Sequence, residues 1–186
     1  TGSMTEYYLE VSYGNYYIHA NPFSCAGGCP QQENAREYYN NRIAFADADP
    51  VAVTAGMQTS GVNFQLEIGA QISGTVTDEN TSLPVANVFV NLYNNSFSQT
   101  GYTNASGVYS IIGIPTGTYQ VAFNSSGNYV TEYYNGKFNS SQADLVQVTA
   151  PNVLPGIDAS LTSPGKISGT VTGDPGSLPL ETIGVI

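Results

Sequence analysis

Few side chains in this sequence could perform covalent or metal chemistry, and they are scattered. The two cysteines, Cys25 and Cys29, flank a Gly-Gly pair in SCAGGC. Thiols at that spacing can close a short disulfide ring, which would pin a loop in an oxidising compartment. Zinc would need two more ligands of the same kind, and the loop around them has no further His or Cys. A redox pair ordinarily has two intervening residues rather than three. The carboxylates Asp47, Asp49, Asp78, Glu79 and Asp174 could hold calcium with loop carbonyls. They form no EF-hand-like loop, however, and read as solvated loop charge. General acid–base work by such carboxylates needs a cleft. With one His and 4 Lys+Arg, few parts remain for a nucleophile–base pair. The expectation is no enzyme, no metal site and no cofactor.

Modification chemistry is more plausible on sequence grounds. Five N-x-S/T sequons occur, at Asn80, Asn94, Asn104, Asn124 and Asn139. All fall in or beside turn-rich segments, where a glycan can be attached. Fourteen Tyr and no Trp add an amphipathic, strand-favouring side chain. Tyr7, Tyr8, Tyr13, Tyr16, Tyr17, Tyr38 and Tyr39 crowd the N-terminal third. Most are expected to pack strands, and a few to face an interface.

The elements that must carry these residues have a period of two. Ile72, Gly74 and Val76 alternate with Ser73, Thr75 and Thr77; Tyr119, Val121 and Phe123 alternate with Thr118, Gln120 and Ala122. Such alternation reads as strands with one buried face. Clusters of Gly, Pro, Asn and Ser separate them every 10–15 residues. No amphipathic helix of 10 residues is evident. His19, on the strand Tyr16–Ala20, matches the outward position of Ala122. The charge balance, 14 Asp+Glu for a net charge of -10, excludes a phosphate-backbone binder. Charged residues are only 10% of the 186, so Asn, Ser, Thr, Gln and Tyr must make the surface, which suits an extracellular protein. No apolar run is long enough to span a membrane. No signal peptide opens the chain, so a secreted protein would be represented in mature or excised form.

The chain also repeats itself. Residues 36–91 lie on 131–186 without a gap, at an offset of 95 and with 22 of 56 identities. These fall in blocks: EYYN at Glu37–Asn40 and Glu132–Asn135, ISGTVT at Ile72–Thr77 and Ile167–Thr172, SLP at Ser82–Pro84 and Ser177–Pro179. Upstream, GNYYI at Gly14–Ile18 answers GTYQV at Gly117–Val121, and Tyr7 answers Tyr109. The expected organisation is a sandwich lacking its first two strands (1–70), a complete sandwich (71–165), and the first two strands of a further one (166–186).

ISGTVTDENTSLPVANVFVNLY followed by TNASGVYSIIGIPTGTYQVAF resembles the carboxypeptidase regulatory-like domain, a transthyretin-type β-sandwich. The EYYN…VTA…GID-x-x-L portion resembles the form found as tandem copies in bacterial and archaeal surface proteins. The resemblance implies an all-β fold of tandem Ig-like, prealbumin-like antiparallel β-sandwiches of about 95 residues each. It carries no catalytic residue.

The functional expectation is a non-catalytic subunit of an extracellular filament or cell-surface stalk, secreted or on the cell surface, whose partner is itself. Residues 166–186 would complete the 1–70 sandwich of the next unit, with Ile167, Val171, Ile183 and Val185 as the apolar stripe. The alternatives are a segment of a tandem-repeat adhesin that contacts surface glycans, and an accessory module of a secreted hydrolase.

Overall fold

The computed structural model describes residues 6–22, 33–125, 129–173 and 178–179. Four short strands come first: β1 (Gly14–Tyr16), β2 (His19–Ala20), β3 (Glu37–Tyr38) and β4 (Val51–Val53). Nine more build the middle of the chain: β5 (Ala70–Asp78), β6 (Phe89–Tyr93), β7 (Ser98–Tyr102), β8 (Val108–Ile114), β9 (Gly117–Asn124), β10 (Glu132–Tyr133), β11 (Val146–Val148), β12 (Val153–Leu154) and β13 (Ala159–Leu161). A last pair, β14 (Thr172–Gly173) and β15 (Leu178–Pro179), runs antiparallel. Among the described residues the only helices are two single 3-10 turns, Phe45–Asp47 and Ser140–Gln142.

The middle strands form two stacked sheets. In one, β9 is central: β6 and then β7 lie on one side, and β10 and β11 follow each other along the other. In the other, β5 is central, with β8 antiparallel on one edge and β12 and β13 parallel on the other. The inward faces meet in one core: Ile72, Val76, Val88, Val90, Ile111, Tyr119, Val121, Val146, Val148 and Leu161 are all buried there, joined by Leu92, Tyr109, Ile114 and Phe123. These are the positions that period-two alternation assigns to the inside.

Three details depart from the sequence reading. The sandwich has nine strands, more than the seven or eight that runs recurring every 10–15 residues in about 95 would give, because the last third of the domain is cut into very short pieces. It is also not purely antiparallel: Val153↔Gln71 and Ala159↔Val76 are parallel pairs, since the chain returns to β5 from the far sheet. Ala122, expected on an outer face, is buried. Asn91 and Tyr133 stand beside it on the flanking strands, and their larger side chains can cover a methyl.

The N-terminal strands pair in the registers used in the middle sandwich. Gly14↔Val53 and Tyr16↔Val51 correspond to Gly117↔Val148 and Tyr119↔Val146. His19↔Tyr38 corresponds to Ala122↔Tyr133. Local devices recur as well. Asn40 and Asn135 both have φ of 66°, and each donates its amide to an aspartate, Asp49 at 2.8 Å and Asp144 at 2.7 Å. The hydroxyls of Tyr16 and Tyr119 each donate to the carbonyl four residues earlier, at 2.9 and 2.8 Å. The two parts touch through Arg36, whose guanidinium donates to the Ser96 carbonyl and lies 4.8 Å from the centre of the Phe97 ring.

Candidate assembly face

In the N-terminal part, β1 pairs with β4 and β2 with β3 in the registers of β9 with β11 and β10, and no strand among its described residues pairs as β5, β6 or β7 do. In the complete sandwich, residues 108–114, 153–154 and 159–161 are strands because all three ladder onto β5. Their counterparts 6–12, 58–59 and 64–66 are not strands. A strand needs a partner for its backbone N–H and C=O groups, and no strand among the described residues lies beside these segments as β5 does beside theirs. The side chains tell the same story. Tyr109 and Ile111 are each 2% exposed, whereas the corresponding Tyr7 and Leu9 are 46% and 61% exposed. Leu66, matching the buried Leu161, is half-buried.

One part of this uncovered face is nonetheless in place. The Tyr7 hydroxyl donates to the Val62 carbonyl at 2.5 Å, as Tyr109 donates to Ile157 at 2.6 Å. Burial and the neighbouring Tyr39 hold the Tyr7 hydroxyl above its ordinary pKa. Ala35 N–H donates to the Glu67 carbonyl at 2.9 Å, as Val130 N–H does to Thr162 at 2.9 Å.

The expected assembly strand is unpaired over most of its described length. Residues 163–171 form no strand and are all exposed. Ile167 is 104% exposed and Val171 47%, while the identical residues Ile72 and Val76 are both at 0%. Ile183 and Val185 lie outside the described residues.

The remaining candidates separate into placed and unplaced. Cys25 and Cys29 lie outside the described residues, as does Asp174. His19 is exposed, its ring tilted against that of Tyr38 with centres 5.4 Å apart. Asp49 is held below the usual carboxylate range first by the Asn40 amide and also by Arg42, whose Nε is 3.3 Å away. Asp78 closes the β5–β6 turn. Its Oδ1 accepts from the Asn80 and Thr81 N–H groups at 2.9 and 2.8 Å, and its Oδ2 from the Tyr129 hydroxyl at 3.0 Å. Asp49 and Asp78 thus have local structural work, and no group of three or more potential metal ligands gathers among the described residues.

The sequons divide by setting. Asn80, Asn94, Asn104 and Asn139 are exposed, and Asn124 is half-buried at the end of β9. The Asn94 side chain caps its turn through Oδ1 and donates from Nδ2 to the Thr118 carbonyl at 3.2 Å. Asn104 and Asn139 use Oδ1 alone, accepting from Ser106 and Val108 N–H and from Ser141 respectively.

Sequence reasoning missed two buried carboxylates, Glu37 and Glu132, which open the two EYYN blocks. Burial raises both pKa values, with Glu67 and Glu79 adding like charge, and the N–H groups of Gln65 and Ser160 opposing. It also missed the Tyr7–Val62 bond. The available signal was the equivalence of Tyr7 with Tyr109, but the bond needs the fold to identify its acceptor.

No curated protein matches the sequence. Several solved structures do, at low identity. The TIE protein of Bacillus anthracis matches at 13% identity with a TM-score of 0.40, covering 51% of this chain and 16% of its own. The minor pilin GBS52 of Streptococcus agalactiae matches at 15% identity and a TM-score of 0.38, covering 73% and 67%. A streptococcal ancillary pilin matches at 12% identity and a TM-score of 0.36, covering 82% and 46%. The chain therefore spans less than a fifth of the first of these proteins. The family model of the carboxypeptidase regulatory-like domain matches residues 71–162, which are the residues of the two-sheet sandwich. That segment, about half of the chain, is a carboxypeptidase regulatory-like domain.

Proposed function

We propose that this chain is a non-catalytic structural subunit of an extracellular filament or cell-surface stalk, in which residues 166–186 of one copy complete the sandwich begun by residues 1–70 of the next. The observation that carries this reading is the exposure of Ile167 and Val171 in a segment identical to the buried core strand Ile72–Thr77. The exposure of Tyr7 and Leu9, whose counterparts Tyr109 and Ile111 are inside, supports the matching acceptor role for residues 1–70. Burying Ile167 and Val171 contributes about 3–6 kcal/mol before the cost of ordering two chains. Ladder bonds add direction and register, as in other strand-addition contacts. A head-to-tail contact of this kind does not close on itself and so extends into a fibre. The scarcity of charge and the short cysteine loop support a secreted or cell-surface setting.

The experiment is a size measurement over a concentration series, by light scattering and electron microscopy, on the full chain and on a chain lacking residues 166–186. The full chain should form linear polymers and the deleted one should stay monomeric. A full-length chain that remains monomeric and folded, with no change on deletion, overturns the reading.

A further inference from the structure

We infer that Gly169 sets the register of the donated strand, by fitting a slot in the acceptor that admits no side chain. The inference rests on the strand-donation reading above and names the point of contact within it: residues 166–171 of a second copy against Tyr7, Val62 and Asn63.

The slot is visible where it is already filled. In the complete sandwich, Gly74 of β5 crosses the 157–158 backbone so closely that a Cβ at this position would lie 2.1 Å from the Ile157 carbonyl oxygen and 2.6 Å from its carbon. Both are backbone atoms, so no rotamer change could relieve the overlap. The strand is stapled there on both sides of the glycine. Ile157 N–H donates to the Ser73 carbonyl at 3.1 Å, and Thr75 N–H donates to Asp158 Oδ1 at 2.7 Å. The Tyr109 hydroxyl holds the Ile157 carbonyl from the other side at 2.6 Å.

The counterpart position in the N-terminal part already has two of the same elements. Gly61 has the same φ as Gly156, 81°, so both segments carry a left-handed glycine just before the residue whose carbonyl takes the tyrosine hydroxyl. The Tyr7 hydroxyl already holds the Val62 carbonyl, and Asn63 stands at the place of Asp158 with an amide oxygen that can accept from Thr170 N–H. The registers Gly74↔Tyr109 and Ile72↔Ile111 translate to Gly169 opposite Tyr7 and Ile167 opposite Leu9. A slip of one residue would drive Ser168 or Thr170 into the carbonyl and would also turn Ile167 and Val171 to the wrong face. In its own chain Gly169 has no atom within 4 Å of a notional Cβ, so nothing there requires a glycine.

The test compares Gly169→Ala with Gly165→Ala in the full chain. Gly165 is equally open, and the middle sandwich carries alanine at the matching position, Ala70. Sedimentation and light scattering over a concentration series read assembly, and thermal unfolding reads the integrity of the middle domain. Gly165→Ala should assemble like the parent. Gly169→Ala should unfold at the parent temperature yet need at least about 100-fold higher concentration to assemble. Because its acceptor is intact, it should also shorten parent polymers when mixed in substoichiometrically. Assembly of Gly169→Ala at the parent concentration overturns the inference while leaving strand donation standing. So does a Gly169→Ala chain that neither assembles nor shortens parent polymers, since it has lost more than its donor strand. A parent chain that never assembles overturns strand donation itself, and this inference with it.

Discussion

The hydroxyl of Tyr109, on β8, donates to the carbonyl of Ile157 at 2.6 Å across the central strand β5, at the level of Gly74. Burial pushes its pKa well above the ordinary tyrosine value, with the Asp158 charge adding to the effect. The phenol therefore stays protonated, and a donor, beyond the pH at which an ordinary tyrosine ionises.

Removing that donor leaves a buried carbonyl unpaired. Tyr109→Phe should destabilise the middle sandwich by about 1–3 kcal/mol, read by chemical denaturation. Tyr7→Phe deletes the equivalent bond at a half-open site, where water can replace the hydroxyl. It should cost the isolated chain less than about 1 kcal/mol, so an equal loss in both variants would contradict the difference in burial.

Two carboxylates should pull the pH profile in opposite directions. Glu132 has its pKa raised above the ordinary carboxylate value of 4.5, chiefly by burial. Its favourable contribution is complete below that value and fades as pH rises through the folded-state pKa. Asp78 is lowered below 3.8, chiefly by the Thr81 N–H. Its contribution is present above 3.8 and is lost as pH falls through its folded-state pKa. Glu132→Gln keeps an oxygen to accept from Ser160 N–H. It should therefore raise stability at pH 7 relative to pH 4, measured as unfolding free energy against pH. Asp78→Asn should weaken stability at pH 7 more than at pH 2.

Among the sequons, Asn80, Asn104 and Asn139 should carry most of any glycan in a glycosylating host. Their side chains are exposed and none uses its nitrogen in a bond among the described residues. Asn94 donates from its amide nitrogen to Thr118, and Asn124 is half-buried. Glycopeptide mapping of native material checks this, and dominant occupancy at Asn124 would contradict it.

Cys25 and Cys29 should be bonded to each other in secreted material. Alkylation before and after reduction should label both only after reduction. Free labelling of both in the native state would rule the bond out.

Core faces were legible in the sequence because burial in a strand follows its own period. Ile72, Val88, Val121 and Val146 could be assigned to the inside with no knowledge of their partners. The offset that aligns EYYN with EYYN also indicated which N-terminal positions should behave alike, and the registers of β1 with β4 and of β9 with β11 correspond. Those pairings join segments tens of residues apart, but each pair recurs, so the sequence contained the comparison.

Other features depend on atoms that only the fold brings together. Nothing local says that β5 takes parallel strands on one edge and an antiparallel strand on the other, because a ladder bond is defined by its partner. Nothing local distinguishes Gly74 from any other glycine in a strand. Its necessity arises when the backbone of residue 157, more than 80 positions away, passes at contact distance. The burial of Glu37 and Glu132 and the reach of Arg36 to Phe97 are likewise properties of packed neighbours. A period-two pattern decides which face of a strand is dry, whereas only tertiary contact decides what that face must accommodate.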